Sequence, residues 1–232
     1  MTYDWLAGLV LLAAVVLTTR LGHFLAFRVP ALERMRVINR EQDALKMANK
    51  RYPPMVKATI RVGLATNVVF FLLLAPFVVT LAALPVWRYL ADAVLILLVF
   101  DFFYYLTHRF LLHGVGYFKR VHAVHHQAHE PTQIDAFYVH PLETLMGQAL
   151  FIGSATGLGA LLGPFHVGSV AAAYLIYVNV NLINHTYVDL PYFPFKVLDY
   201  ATTKHAIHHI DMSKGNYATL TMVYDYAFGT LD

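Results

Sequence analysis

Two long runs without a charged residue restrict this chain more than any other feature of its sequence. Residues 62–84 form 23 consecutive positions without Asp, Glu, Lys or Arg, and residues 144–184 form 41. At about 1.5 Å per helical residue, the first run can cross a hydrocarbon core about 30 Å thick, and the second can cross it twice. Gly163-Pro164 offers a turn near the middle of the second run. The chain is therefore expected to fold within a membrane.

Shorter apolar runs complete the predicted topology. Only 13% of the residues are charged, about half the usual share in a soluble domain. We expect one all-α domain over 1–232, a multi-pass membrane bundle. Its four to five spans are predicted at 5–19, 62–84, 90–107, 144–163 and 165–184. The first run stops at Arg20, so it either crosses the bilayer or lies at its surface.

Cationic residues predict the orientation of these spans, because cytoplasmic loops collect Lys and Arg. If 62–84 leaves the cytoplasm and 90–107 returns, only Arg88 among the 17 Lys and Arg lies on the opposite side. Of the 13 histidines, only His166 lies there. We therefore predict a cytoplasmic, histidine-rich helical cap formed by 108–143 and 185–232.

Charge and cysteine content exclude several classes of protein. The net charge of +3 is small, and the cations follow the membrane pattern, so we expect no nucleic acid partner. The chain has no cysteine, which excludes disulfides, thiolate metal sites and cysteine nucleophiles.

Histidine spacing indicates a metal site. The two segments HAVHH and HAIHH repeat one spacing, at His122, His125 and His126 and at His205, His208 and His209. On a helix, positions i, i+3 and i+4 project from nearly one face, so each triplet is predicted to aim three imidazoles at one point. Eight or more imidazoles exceed what one ion uses, which predicts two ions. Iron, zinc, copper and nickel all accept such ligands.

A further pair, His108 and His113, closes the third predicted span. Five residues correspond to about 140° around a regular helix, so both imidazoles reach one site only if the helix ends or distorts between them. Gly114 and Gly116 offer such an ending.

The order of these motifs resembles the fatty acid hydroxylase and sterol desaturase superfamily of integral-membrane di-iron enzymes. HxxxxH, HxxHH, HPxE at His140 to Glu143, an isolated His185 and a second HxxHH follow one another as in that superfamily. The tail over 216–230 is similar to the NYG and WDxxFGT ending of the superfamily, with Ala218 for Gly and Tyr224 for Trp. Asp189 stands where the sphingolipid-hydroxylating branch has a further His. The likeness is thus closer to the sterol-type and bacterial branches, and it favours a bacterial inner membrane over the endoplasmic reticulum.

The resemblance implies two iron ions, which zinc can replace in a purified sample. The implied ligands are His108, His113, His122, His125, His126, His140, His185, His205, His208 and His209. His140 and His185 are either ligands or hydrogen-bond partners of ligands.

Other polar residues are expected to support the ligands. Asp101 precedes His108 by two helical turns and is predicted to accept a hydrogen bond from a ligand imidazole. His129 shares a helical face with His125 and is expected in a similar supporting role. Asp225, like Asp135, Glu143 and Asp211, is a weaker candidate for such a role.

The resemblance also implies an activity. We expect an O2-dependent oxygenase that hydroxylates, or less readily desaturates, an unactivated C–H of a lipid such as a sterol or fatty acyl chain. The sequence has no dinucleotide-binding fingerprint, so the electrons are expected from a separate cytochrome, ferredoxin or reductase. Membrane lipids are the other expected partners. The alternatives are a metal-binding or metal-transport protein with histidine-rich loops, which leaves the ordered spacing unexplained, and a zinc hydrolase, for which no nucleophile is evident.

Overall fold

The computed structural model describes residues 2–232, and helices dominate them. The helices are α1 (Trp5–Ala26), α2 (Pro30–Ala48), α3 (Tyr52–Val69), α4 (Ala75–Val78), α5 (Val86–Leu106), α6 (Tyr117–His122), α7 (Pro141–Leu162), α8 (Val167–Asn184), α9 (Lys196–Ile210) and α10 (Val223–Ala227). Two π-helical turns, Phe70–Leu74 and Thr107–Leu112, continue α3 and α5, and short 3-10 turns cover His125–Gln127 and Gln133–Ala136. Two-residue strands β1 (Val79–Thr80) and β2 (Phe165–His166) pair in parallel.

Five helical segments among the described residues are long and apolar enough to cross a membrane. They are Trp5–Ala26, Tyr52–Val78, Val86–Leu112, Pro141–Leu162 and Val167–Asn184. The prediction of an all-α, multi-pass membrane bundle is confirmed, and the protein is an integral membrane protein.

Two of these segments differ in extent from the apolar runs. The helix beginning at Tyr52 starts ten residues before the uncharged run, because Pro53 lies in its first turn, where proline favours helix initiation. Lys57 and Arg61 are accommodated near this end, where long cationic side chains reach the interface. α1 continues past the exposed Arg20 to Ala26 and has 22 residues, enough to span.

Aromatic residues from four segments form the centre of the bundle. The ring of Phe151 on α7 contacts Phe70, Phe100 and Tyr174, with centroids 6.2, 5.9 and 5.7 Å away. Each of these four side chains is buried. α8 packs against α1 and α5, and α7 packs against α3 and α5.

One end of the bundle, called here the far end, is closed by close backbone contacts. The two strands join the ends of α4 and α7 there, with Val79 opposite Phe165. The amide of Asp4 donates to the carbonyl of Pro76 at 2.8 Å. A Cβ on Gly8 would lie 2.7 Å from Cγ of Pro76, so only glycine permits this approach of α1.

The opposite end, called the histidine end, is where α1, α5 and α8 finish and where α3 and α7 begin. α2 is attached to this end by the buried Asn39, whose side chain donates to the carbonyl of Tyr187 at 2.9 Å and accepts from its amide at the same distance. Lys46 of α2 forms an ion pair with the buried Asp135. These contacts fix the loops that carry the histidines.

Candidate metal centre

The end of α5 brings His108 and His113 together through a π-helical turn. The amide of His113 donates to the carbonyl of His108 at 2.9 Å, a hydrogen bond that spans five residues. The wider turn places two side chains five residues apart on one side of the helix. The sequence required that the helix end or distort between these two histidines, and the structure shows the distortion. Such π-helical turns are frequent at functional sites.

Nine histidines meet at the histidine end in two groups. Within each group one nitrogen of every ring lies within 4.8 Å of the others, so either group could hold a metal ion. The five-histidine group comprises His108, His113, His122, His126 and His208, and the four-histidine group comprises His125, His185, His205 and His209. Rings of the two groups also contact each other, since the ring centroids of His126 in the first group and His209 in the second are 5.0 Å apart.

Each triplet is divided between the two groups, which corrects the expectation that a triplet aims at one point. In the first triplet, His122 and His126 belong to the five-histidine group and His125 to the other. In the second, His205 and His209 share the four-histidine group, and His208 crosses. In both cases the residues at i and i+4 stay together. On α9 the division follows from the angle of about 100° between successive side chains.

Hydrogen bonds from the outer ring nitrogens fix the tautomers of four of the nine imidazoles. Nδ1 of His108 donates to the carbonyl of Tyr217 at 2.7 Å, and Nδ1 of His113 to that of Met212 at 3.0 Å. His208 and His185 donate in the same way to the carbonyls of Gly215 and Asn181, each at 2.7 Å. A carbonyl only accepts, so Nδ1 carries the proton and Nε2 presents a lone pair to the interior.

With these tautomers, the contacts between the inward-facing Nε2 atoms cannot be hydrogen bonds. Nε2 of His208 lies 3.2 Å from Nε2 of both His108 and His113. All three nitrogens present lone pairs, and none has a proton to share. Lone pairs directed at one another at this distance repel unless a cation lies among them. The donor set therefore fits a metal ion with neutral imidazole ligands.

The environment also keeps these imidazoles neutral. Burial, followed by the neighbouring His208, lowers the pKa of His113 to about 4 and that of His126 to about 3. Burial lowers the pKa of His208 itself to about 4. Metal ions bind the neutral ring, so the site is ready to accept a cation at neutral pH without first losing protons.

Glu143 supports an imidazole more directly than the sequence predicted. Its Oε1 lies 2.8 Å from Nδ1 of His122, and both side chains are buried. A carboxylate that accepts from the outer nitrogen orients the ring and makes Nε2 a better ligand. The sequence made Glu143 only a weaker candidate. The available signal was a carboxylate in the first turn of an apolar helix, which needs a partner.

Asp101 has a different role from the one expected. Its carboxylate accepts from the amides of Thr219, Leu220 and Thr221 at 2.9–3.1 Å, and from the Thr221 hydroxyl at 2.8 Å. Within residues 2–232 no hydrogen bond joins it to an imidazole, so the predicted direct contact with a ligand is wrong. The side chain is turned toward the C-terminal loop, where four donors satisfy the buried carboxylate.

Asp225 continues this support. Its side chain accepts from the amides of Tyr217 and Ala218 and from the hydroxyl of Thr230, each at 2.8 Å. It too contacts no imidazole through a hydrogen bond in the part of the chain that the structure describes. Since the carbonyl of Tyr217 accepts from His108, Asp225 helps to position the His108 ring through the backbone.

Two predicted site histidines lie outside both groups. His140 caps α7, where its Nδ1 accepts from the amide of Leu142 at 3.2 Å. In this arrangement His140 joins neither histidine group, and its role as a ligand or as a hydrogen-bond partner of a ligand stays a prediction. His129 is exposed, and the predicted support of a ligand is not found for it. The HxxHH segment leaves the helix after His122, so the shared face with His125 does not form.

A cavity of about 250 Å³ leads from the histidines into the membrane bundle. His108, His125, His185 and His205 lie at its histidine end. Its walls come from α3, α5, α7 and α8 and are mainly apolar and aromatic, including Ile60, Leu64, Tyr104, Tyr174, Tyr177 and Val178. The shape and lining of this cavity fit an apolar molecule that reaches the two histidine groups from within the bundle.

The fold and the site define an integral membrane protein, a helical bundle with two histidine groups that could each hold a metal ion. The family profile for fatty acid hydroxylases matches residues 93–230, which is more than half of the chain and includes all nine grouped histidines. This protein belongs to the fatty acid hydroxylase family.

Several curated proteins are similar to the same region. Methylsterol monooxygenase 1 of Rattus norvegicus is 32% identical over 150 residues, covering 63% of this chain and 49% of that protein. A putative methylsterol monooxygenase of Dictyostelium discoideum is 32% identical over 141 residues, with 58% and 48% covered. A very-long-chain aldehyde decarbonylase of Oryza sativa subsp. japonica is 34% identical over 153 residues, with 63% and 55% covered. The matches thus span about half the length of these relatives. No solved structure matches the chain.

Proposed function

We propose that this protein is a membrane oxygenase that uses two iron ions and O2 to hydroxylate, or less readily to desaturate, an unactivated C–H of a lipid. The observation that carries the proposal is the set of inward-facing Nε2 atoms at the end of a cavity that enters the membrane bundle. The family supports an oxidoreductase acting on lipids. The names of the relatives, methylsterol monooxygenase and aldehyde decarbonylase, support sterols or fatty acyl chains as the substrate class.

The nine histidines of the two groups would hold the ions. His185 is assigned as a ligand because its Nε2 lies 2.9 Å from that of His125 and 3.0 Å from that of His205. Iron ions bound there would supply O2 activation, with electrons from a separate donor such as a cytochrome, ferredoxin or reductase. Carbonyls and Glu143 hold five of the rings from outside, so the ligand cage is formed before a metal enters.

The protein's own residues also deliver the substrate. Ile60 and Leu64 line the cavity, yet they are 40% and 60% exposed on the surface that faces lipid. This face of α3 is the proposed entrance for a lipid from the bilayer. Apolar and aromatic walls exclude water from the reacting carbon, which protects the reaction from side products.

We also propose that the histidine end faces the cytoplasm. The segments at that end carry the great majority of Lys and Arg, and the far end carries Arg88. This distribution follows the rule that cytoplasmic loops are positively charged. A soluble or membrane-associated electron donor would then approach from the cytoplasm.

Metal analysis combined with lipid analysis tests the function. The purified protein should contain about two iron ions per chain, as two groups of this size require. It should consume O2 only with a reductant and a lipid. Cells that express the gene should contain a lipid with one additional oxygen, or with two fewer hydrogens, than cells that lack it. Metal flux across vesicles without any change in lipid would instead favour a transporter.

A further inference from the structure

Three residues that line the cavity carry a buried polar atom without a hydrogen-bond partner in the described part of the chain: His125, Glu143 and Gln148. His125 and Glu143 belong to the histidine site already described, whereas Gln148 does not. The side-chain oxygen of Gln148 is buried and has no hydrogen-bond partner among residues 2–232. Gln148 lies on α7 with Thr144 and Gly147, at the i, i+3, i+4 spacing that directs all three toward the cavity. A buried, unsatisfied amide oxygen is costly, so it indicates a partner that is present only when the cavity is filled.

The space around this amide is provided by Gly63 on α3. A Cβ at Gly63 would lie 3.3 Å from the side-chain nitrogen of Gln148, closer than most such contacts. The amide therefore rests against the backbone of α3 and spans the cavity wall between the two helices. Its position is fixed by packing on one side and is open to the cavity on the other.

Gln148 lies farther along the cavity, away from the two histidine groups. Glu143, which holds His122, is five residues earlier on the same helix, and five residues correspond to about 7.5 Å along the axis. A molecule that touches both the histidines and Gln148 needs a polar atom several bonds away from the carbon at the metals. An unsubstituted hydrocarbon segment would leave the amide unpaired.

We propose that Gln148 selects a lipid with a hydroxyl group located inside the cavity, several bonds from the carbon that is oxidised. An unpaired amide oxygen needs a donor. A hydroxyl both donates and accepts, so it satisfies Gln148 in either orientation of the amide, whereas an ether or a ketone only accepts. The inference rests on the proposed function, since it names the lipid class that the same cavity takes.

Matched alcohols and methyl ethers test this selection without requiring turnover. The metal-loaded full chain, in phosphatidylcholine nanodiscs, is given equal amounts of 1-hexadecanol and 1-methoxyhexadecane, and separately of cholestanol and its 3-methyl ether. Mass spectrometry of the co-purified lipid gives the ratio of alcohol to ether relative to empty nanodiscs. For at least one pair we expect a ratio of about five to ten, the effect of one satisfied hydrogen bond in a buried site.

Variants connect the ratio to the amide. Gln148→Met keeps the length of the side chain and removes its polarity, so the ratio should fall to near one. Gly63→Ala keeps the amide but displaces it, and the ratio should fall at least in part, even if the Met variant folds poorly. Leu145→Met, on the exposed side of α7, should leave the ratio unchanged.

A ratio of one in the native protein for both pairs, or an undiminished ratio in Gln148→Met, would overturn the inference. O2 consumption and oxidised lipid are measured on the same samples. Alcohol selection without any oxidation would count against the oxygenase and leave the selection standing. Oxidation of lipid without alcohol selection would support the oxygenase and overturn the proposed role of Gln148.

Discussion

At the scale of single residues, the proposed ligand cage depends on the group that holds the outer nitrogen of each imidazole ring. Carbonyl groups perform this task for His108, His113, His185 and His208. For His122 the partner is the carboxylate of Glu143. Such partners fix the tautomer and the ring orientation, and they contribute to metal affinity without touching the metal.

Substitution of Glu143 tests this contribution. Glu143→Leu should lower metal affinity by about 10-fold to 100-fold, because Nδ1 of His122 loses its acceptor. Glu143→Gln should lose less, since the amide oxygen still accepts. Metal retained at increasing chelator concentration gives the affinity, and Glu41→Gln, exposed on α2, is the control. Equal retention in all four proteins would contradict the assigned role of Glu143.

Removal of single histidines separates ligands from neighbours. His208→Ala affects the five-histidine group and His125→Ala the four-histidine group, so each variant should bind about one ion fewer than the native protein and lose product formation. Both should still insert into membranes. His140→Ala should keep its metal and lose only about 1 kcal/mol of stability, because it removes a helix cap. Metal content, product and thermal unfolding are the measurements, and metal loss in His140→Ala would restore that residue to the ligand set.

At the scale of elements, the C-terminal loop after α9 is fastened to α5 and α10 by two buried carboxylates. Asp101 holds the amides of 219–221, and Asp225 holds those of Tyr217 and Ala218. The carbonyl of Tyr217 then meets His108. The carboxylate of Asp101 within the membrane bundle is thus satisfied by backbone N–H donors from a loop that is distant in sequence.

Asp101→Asn is expected to release this loop. The amide nitrogen would face backbone N–H groups that need acceptors, at a cost of about 3 kcal/mol. Metal at the five-histidine group should be lost more readily, because the loop carries the acceptor of His108. Asp92→Asn on the same helix is the matched control, since Asp92 pairs with Arg88 at 3.4 Å near the far end. Its cost should be smaller, because Asp92 has one contact to Arg88 whereas Asp101 accepts from four donors. Thermal unfolding in detergent and metal content compare the two, and similar losses in both would refute the idea.

At the scale of the whole molecule, the bundle separates two chemically different ends. The far end is closed by two short strands and by the approach of α1 to Pro76. The histidine end contains the two histidine groups together with α2, α6 and α9. The cavity connects the lipid-facing side of α3 with the two histidine groups. Such a layout suits a reaction that takes its substrate from the bilayer and its electrons from the aqueous side.

The absence of cysteine makes the orientation directly measurable. Val115→Cys, at the histidine end, and Val86→Cys, at the far end, alter side chains that are 95% and 86% exposed. In sealed cells, a membrane-impermeant maleimide should label the Cys at 86 and should reach the Cys at 115 only after lysis or in inverted vesicles. Labelling of the cysteine at 115 in intact cells would reverse the proposed topology. The unsubstituted chain supplies the background.

Much of this architecture is predictable from the sequence because its causes are local. Uncharged runs long enough to cross a bilayer fix the class of fold, and His at repeated spacing identifies the side chains of the metal groups. The five-residue spacing of His108 and His113 required that the helix end or distort between them, and the π-helical turn is the distortion. Helix ends were less predictable, since Pro53 and the two cationic residues that follow in the first turns of α3 extend a span beyond its uncharged part.

The division of the histidines into two groups was decided by tertiary structure. Spacing within HxxHH describes faces of a regular helix, but the first triplet continues from a helix into a 3-10 turn. Which ring joins which group depends on where α5, α8 and α9 meet that turn. The same holds for Glu143, for the loop contacts of Asp101 and for the unpaired amide of Gln148. Sequence alone thus determined the membrane bundle and the supply of imidazoles, because hydrophobic length and ligand chemistry are properties of short segments. The contacts between distant segments decided the partners, because they depend on packing in three dimensions.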